Sequence, residues 1–353
     1  MAPVLEALTA RNGLVRSVLC STGQHRELAE QALQIFDLRP DVSLDIMRPN
    51  QSLSQLTSAL FQALDRVVQD VRPDWIVAQG DTTSVMASAM TAFYHRVRFA
   101  HVEAGLRTGD LTSPFPEEMN RLVADKLSTL LFAPTEHARR NLLAEGADAG
   151  AIHVTGNTVV DALLTIAKRA YNWADGPLGT VPSDKRIVLV TAHRRESFGD
   201  ALRGQCEAVA QIAARFSRDT HVVWPLHPNP NVLEPVRARL AHASNVSLLA
   251  PLDYVSQVHL IRRAALILTD SGGIQEEAPT FGVPVLVLRD KTERPEGIEA
   301  GIARLIGSDA ARIVAEASRL LDDRAAHAAM SAGVNPYGDG RAGGRIVETL
   351  LAQ

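Results

Sequence analysis

Short runs of β-branched and aliphatic residues recur along the chain, each followed by a longer amphipathic stretch. This alternation limits the fold more than any other feature. Runs such as IVLVTA and LILTD are apolar throughout, which suits strands buried on both faces of a parallel sheet with helices layered over it. Strands are expected at Val15–Cys20, Trp75–Gln79, Arg98–Val102, Leu130–Ala133 and Ile152–Val154, then at Ile187–Thr191, His221–Trp224, Val246–Leu249, Leu266–Thr269 and Val283–Leu288. Helices are expected between them, among others at Ser52–Gln69, Thr83–Tyr94, Glu136–Glu145 and Ala201–Ala213. The Gly-, Pro- and Asp-rich stretch Tyr171–Lys185 reads as a connector. The expectation is therefore an α/β chain of two doubly wound domains, 1–170 and 171–334. A last segment, 335–353, opens with NPYGDGRAGG and ends in an apolar helix that belongs to neither sheet.

The start is irregular. Residues 1–12 read as a helix, Gly13 as its C-cap and Val15–Cys20 as the first strand, whereas a doubly wound domain ordinarily opens with a strand that becomes central. A gap or rearrangement in the first sheet is the expected consequence, because an absent central strand leaves unpaired edges.

Composition narrows the function. A formal net charge of -4 argues against a nucleic-acid binder, which ordinarily carries a basic excess. No apolar run approaches the roughly 18 residues of a membrane helix. Two distant cysteines, Cys20 and Cys206, cannot build a disulfide scaffold and fit a reducing cytoplasm. No secretory signal is visible at the N-terminus.

Three places carry chemistry. The segment LILTDSGGIQEEAPTFGVPVLVLRD (266–290) is a buried strand, a glycine turn and a short helix beginning near Ile274. Ser271, Gly272 and Gly273 there present backbone N–H groups to a diphosphate, or simply form a capped junction. Glu277, one turn in, can accept from ribose hydroxyls, and Glu276 reads as a solvated first-turn residue suited to the helix dipole.

In the first half, Asp81 follows the strand WIVAQ and either serves a ligand or caps the next helix. Glu103 follows RFAHV, and Glu117 recurs beside prolines in PFPEE. The topology gathers these three acids at one sheet edge, where clustered carboxylates can divide acid and base roles. A metal site is the other reading of clustered acids, but no EF-hand spacing or His/Cys set supports one. Arg107 and Arg121 read as structural partners of acids.

In the second half, TAHRRESFG (191–199) puts His193 and Arg194 at a strand end, where they can meet a pyrophosphate. His227 and Arg294 have similar positions with weaker context. The nine remaining histidines, His137, His153 and His259 among them, are expected on helix or strand surfaces and suggest nothing specific.

Taken in order and spacing, QGDTTS, HVEAGLRTGD, PFPEEMNR, VTGNTVVDALL, TAHRRESFG and LTDSGGIQEEAP…GVPVLVLRDKTERPEG resemble the non-hydrolysing UDP-N-acetylglucosamine 2-epimerases. The resemblance runs to the terminal NPYGDG. It implies two Rossmann-like domains of GT-B type with an interdomain cleft, and a last helix packing back on the first domain. It also implies a homodimer, no nicotinamide cofactor, and interconversion of UDP-GlcNAc and UDP-ManNAc by elimination of UDP to 2-acetamidoglucal and re-addition. Carried over by motif, Asp81, Glu103 and Glu117 form the acid/base set, and His193 and Arg194 stand near the diphosphate. Ser271, Gly272, Gly273 and Glu277 hold UDP, and Arg294 is a further contact to the anionic ligand. Gln24 and His25 fall in the region where bacterial members bind a second UDP-GlcNAc as activator.

Two departures stand out. The family's opening strand and GTRPE-like turn are not found ahead of MAPV. Gln257 stands where relatives often carry an aromatic residue near the uracil. The alternatives are a GT-B glycosyltransferase using the same diphosphate cradle, and an impaired UDP-sugar-binding homologue that lacks the opening strand.

Overall fold

The computed structural model describes residues 1–11, 13–24, 26–192 and 198–353, without the side chains of 26–29. Two compact units divide the chain: Met1–Ala162 with Tyr337–Gln353, and Leu163–Pro336. Among the described residues, no helix is long and apolar enough to cross a membrane.

The first unit runs α1 (Ala2–Thr9), β1 (Cys20–Ser21), α2 (Arg26–Ile35), β2 (Val42–Ser43), α3 (Leu53–Val71), β3 (Trp75–Gln79) and α4 (Thr83–His95). It continues with β4 (Arg98–Val102), α5 (Glu117–Leu127), β5 (Leu130–Ala133), α6 (Glu136–Ala144), β6 (Ile152–Val154) and α7 (Thr158–Ala167), which crosses the boundary between the units. The local signals are explicit in α3. Ser52 and Gln55 form a capping box, and Leu56, Leu60, Leu64 and Val68 bury one face at helical spacing.

The first sheet is divided, as expected. β3-β4-β5-β6 form one parallel ladder and β1-β2 a separate parallel pair. Of the expected strand Val15–Cys20 only Cys20 is in a ladder. The preceding Leu19 is tied to Asp41, whose Oδ2 accepts from the Leu19 N–H at 2.7 Å. The first helix stops at Thr9, short of the expected Asn12.

The second unit holds β7 (Arg186–Thr191), α8 (Asp200–Arg215), β8 (Thr220–Pro225), α9 (Pro230–Leu240), β9 (Val246–Leu249), α10 (Tyr254–Arg263) and β10 (Ala264–Thr269). Then come α11 (Gly272–Glu277), β11 (Val285–Val287), α12 (Pro295–Glu299), β12 (Ala303–Leu305), α13 (Ala310–Asp322) and α14 (Arg324–Ser331). The final helix, α15 (Ala342–Leu351), belongs to the first unit. Its Ile346 and Val347 pack with Val4 of α1 on Ala100, Val102, Leu130 and Phe132 of the β3–β6 sheet. Asp161 anchors its start, accepting the N–H groups of Ala342 and Gly343 at 3.2 and 2.9 Å.

The six parallel strands of the second unit are ordered β12-β11-β10-β7-β8-β9. Residues 187–190, 266–268 and 285–287 are fully buried, which explains why these strands read as unbroken apolar runs. The chain leaves β7 in one direction through β8 and β9 and returns on its other side as β10. The carboxyl ends of β7 and β10 are therefore the topological switch point, where open α/β sheets place ligands.

Candidate active site

In the first unit, the site grows from the carboxyl ends of β3 and β4. Gly80 turns the chain after β3 with φ +87°, a conformation glycine adopts without strain. Asp81 follows, but Thr82 is the residue that occupies the N-cap of α4. The Asp81 carboxylate turns instead to α5, where its Oδ2 accepts from Arg121 Nε at 3.1 Å and Nη2 at 2.6 Å. The Asp81 carbonyl accepts from Asn120 Nδ2 at 2.9 Å. Glu103, directly after β4, is held at φ +68°, a left-handed conformation that is uncommon outside glycine. Gln79 Nε2 donates to Glu103 Oε1 at 2.9 Å and to Thr158 Oγ1 at 3.0 Å.

Glu117, half-buried, opens α5 about one turn before Arg121. Its neighbour Glu118 is buried and structural. It accepts the N–H groups of Thr108 and Gly109, both at 3.0 Å, and Arg121 Nη1 at 2.9 Å. Arg121 thus pairs with one of the three acids, while Arg107 pairs with Asp125 and Glu145.

His101, His221 and His259, all buried, correct the expectation of surface histidines, and His101 is the one beside the acids. It is 0% exposed in β4, with Nδ1 2.5 Å from Asp125 Oδ1 and Nε2 2.7 Å from the Gly80 carbonyl. The signal was present in the sequence: a polar side chain inside the apolar run FAHV must find partners when buried. Gln79 was missed as well, since nothing in WIVAQ says where its amide points.

In the second unit, a pocket of about 320 Å³ lies at the carboxyl ends of β7, β8 and β10 and just beyond β9. Thr191, Pro225, Leu226, Leu252, Gln257 and Ser271 are among its walls. Mostly apolar walls with a few polar groups suit a flat heterocyclic ligand. The glycine turn beside it is held from below: Ser271 N–H donates to Thr269 Oγ1 at 2.9 Å, and Thr269 and Thr191 share a hydroxyl contact of 2.6 Å. Helix α11 starts at Gly272, earlier than the expected Ile274, so Gly272 and Gly273 lie in its first turn, whose N–H groups have no partner within the helix. A Cβ on Gly273 would meet only Ser271 Oγ, at 3.9 Å, which leaves that side open to a ligand.

Glu276 is a second correction. It is buried, not solvated, and its Oε1 accepts from Arg294 Nε at 2.6 Å. Arg294 is thereby turned onto Glu276 and, at 3.6 Å, Glu293. Burial and the adjacent Glu276 push the Glu277 carboxyl up to about 8.

His227 also lines the pocket. Gln24 Oε1 accepts from the N–H and the hydroxyl of Ser84 at 3.1 and 2.6 Å. His25, His193 and Arg194 lie outside the described residues.

The family model described as UDP-N-acetylglucosamine 2-epimerase matches residues 6–351. The UDP-N-acetylglucosamine 2-epimerase of Escherichia coli (strain K12) is 47% identical, with 99% of this chain and 94% of that protein covered. Among solved structures, UDP-GlcNAc 2-epimerase from Neisseria meningitidis bound to UDP-GlcNAc superposes with a TM-score of 0.88 at 41% identity, covering 100% of this chain and 96% of that one. The enzyme from Methanocaldococcus jannaschii in complex with UDP-GlcNAc and UDP gives a TM-score of 0.80 at 32% identity, again over 100% and 96%.

Proposed function

The chain belongs to the UDP-N-acetylglucosamine 2-epimerase family, and from that premise we propose that it interconverts UDP-GlcNAc and UDP-ManNAc by elimination and re-addition of UDP. C2 of the sugar has no adjacent carbonyl to stabilise a carbanion, so removal of its proton is coupled to departure of the diphosphate from C1. The C2–H electron pair becomes the C1–C2 double bond, and the C1–O electron pair leaves with UDP. In the return step a UDP oxygen re-forms the bond to C1, and a proton is delivered to the opposite face of C2.

Proton removal and delivery on two faces call for at least two acid/base groups. Asp81, Glu103 and Glu117 are the proposed set. The observation that carries the reading is the placement of Asp81 and Glu103 at the carboxyl ends of adjacent strands, each held by a side chain from another element. Ser271, Gly272 and Gly273 are proposed to meet the diphosphate with backbone N–H groups, and Glu277 to meet the ribose. His193 and Arg194 are assigned to the departing anion by motif. Arg294 acts through Glu276, which it engages directly.

A homodimer in a cytoplasmic setting completes the proposal, and the two free cysteines fit that setting. Incubation with UDP-GlcNAc, followed by separation of the nucleotide sugars, is expected to give UDP-ManNAc, and UDP-ManNAc is expected to give UDP-GlcNAc. Transfer of the sugar to an acceptor without any epimer would contradict the proposal in favour of a glycosyltransferase. Binding of UDP-GlcNAc without turnover would reduce the chain to a binding protein.

A further inference from the structure

We propose that His101 is a positioning residue for the epimerisation, held as an imidazolium by Asp125 and fixing the two turns that carry Asp81 and Glu103. The inference rests on the function proposed above.

The protonation follows from the partners. The Gly80 carbonyl can only accept, so His101 Nε2 carries a proton. At Nδ1 the partner is a carboxylate whose other oxygen, Oδ2, already accepts the Gly105 N–H at 3.1 Å and Arg107 Nη2 at 2.6 Å. A guanidinium and an amide donor on one oxygen oppose protonation of that carboxylate, so the shared proton sits on the ring. Burial alone would lower the His101 pKa, but the bond and charge of Asp125, with the Gly80 carbonyl and Glu103, outweigh it and raise the pKa.

The mechanical consequence lies in where the bonds go. The Gly80 peptide is pinned twice to β4, its N–H donating to the Val102 carbonyl at 3.1 Å and its carbonyl accepting from His101. Asp81 is the next residue. On the other side, Asp125 holds the Gly105 N–H, which closes the turn that begins at the left-handed Glu103. The two turns touch, since a Cβ on Gly80 would lie 3.6 Å from Glu103 Oε2. His101, seated by Asp125, therefore sets the spacing of two of the carboxylates proposed as acid/base groups, chiefly through its bond to Gly80. Small displacements of such groups cost rate before they cost binding.

Two substitutions separate the bonds. In H101Q the side-chain amide can still donate towards Gly80, whereas in H101N it can reach Asp125 and not Gly80. H101N is expected to lower kcat about 10- to 100-fold, with KM for UDP-GlcNAc within a few-fold of wild type. H101Q is expected to recover most of the loss. Equal, near-wild-type kcat in both variants, with only thermal stability reduced, would overturn the role and leave a structural ion pair. Wild-type protein with 15N-labelled histidine gives an independent reading even if a variant fails to fold. One histidine is expected to show two ring N–H signals at neutral pH, and a neutral ring at His101 would overturn the proposal. Wild type that converts no UDP-GlcNAc would overturn the functional reading itself, and it appears before any substitution is made.

Discussion

Asp81 faces a guanidinium and Glu103 a neutral amide, so an isosteric amide at either position removes the chemistry with little change of shape. Asp81→Asn and Glu103→Gln are each expected to lower kcat by about 10²–10⁴-fold, the usual contribution of a general acid or base. Steady-state kinetics beside a thermal melt checks this, and a variant that keeps its kcat removes that residue from the set. Glu277 gives a pH prediction. Burial and Glu276 push its carboxyl up to about 8, above the ordinary 4.5 of the unfolded chain, so the folded chain holds a proton the unfolded chain has lost. Stability is therefore greatest below about pH 4.5 for this group and falls as pH rises towards 8. Glu277→Gln is expected to flatten the fall of Tm between pH 5 and 8, and an unchanged slope would show that the carboxyl is solvated. The positions of Asp81 and Glu103 were legible because a carboxylate just after a buried strand is placed by the strand itself, whereas Glu117 comes from a proline loop that no strand places. Glu276 and His101 were not legible. Their partners, Arg294 and Asp125, arrive from other elements, and local spacing says nothing of such returns.

At the scale of elements, the seat of α15 on α1 depends on one missing side chain. A Cβ on Gly343 would lie 2.6 Å from the Pro3 carbonyl oxygen, so the helices must part to admit it. Gly343→Ala is expected to destabilise by about 1–3 kcal/mol, the usual cost of overpacking. Thermal or urea unfolding reads this, and wild-type stability in the variant would mean that the two helices are not seated this way. Most strands were visible in the sequence because four to six consecutive apolar residues, closed by Gly, Asp or Glu, have few other uses in a soluble chain. β2 and β12, of two and three residues, lie outside any apolar run and escaped notice. Val15–Cys20 failed for a different reason: its composition suits a strand, but pairing needs a neighbour, and the ladder reaches only Cys20 and Ser21.

At the scale of the molecule, the described residues divide into two α/β units with α15 in the first; the βα alternation pointed to two domains, and only the family resemblance pointed to the return of the last helix. The switch point between β7 and β10 marks the crevice in the second unit that is proposed for the nucleotide. UDP at a hundredfold excess over its Kd is expected to stabilise the chain by about 2.7 kcal/mol, seen as a rise in Tm. Gly273→Leu tests the location. A Cβ there meets only Ser271 Oγ, at 3.9 Å, in the ligand-free fold, so Tm without UDP should hold, while the rise with UDP should vanish. A full rise in that variant would place the diphosphate elsewhere. The catalytic claim is tested most directly by the fate of the C2 proton when UDP-GlcNAc is turned over in D2O. Deuterium is expected at C2 of the UDP-ManNAc formed and, at equilibrium, of the UDP-GlcNAc that remains. UDP-ManNAc that keeps its original hydrogen at C2 would contradict the claim.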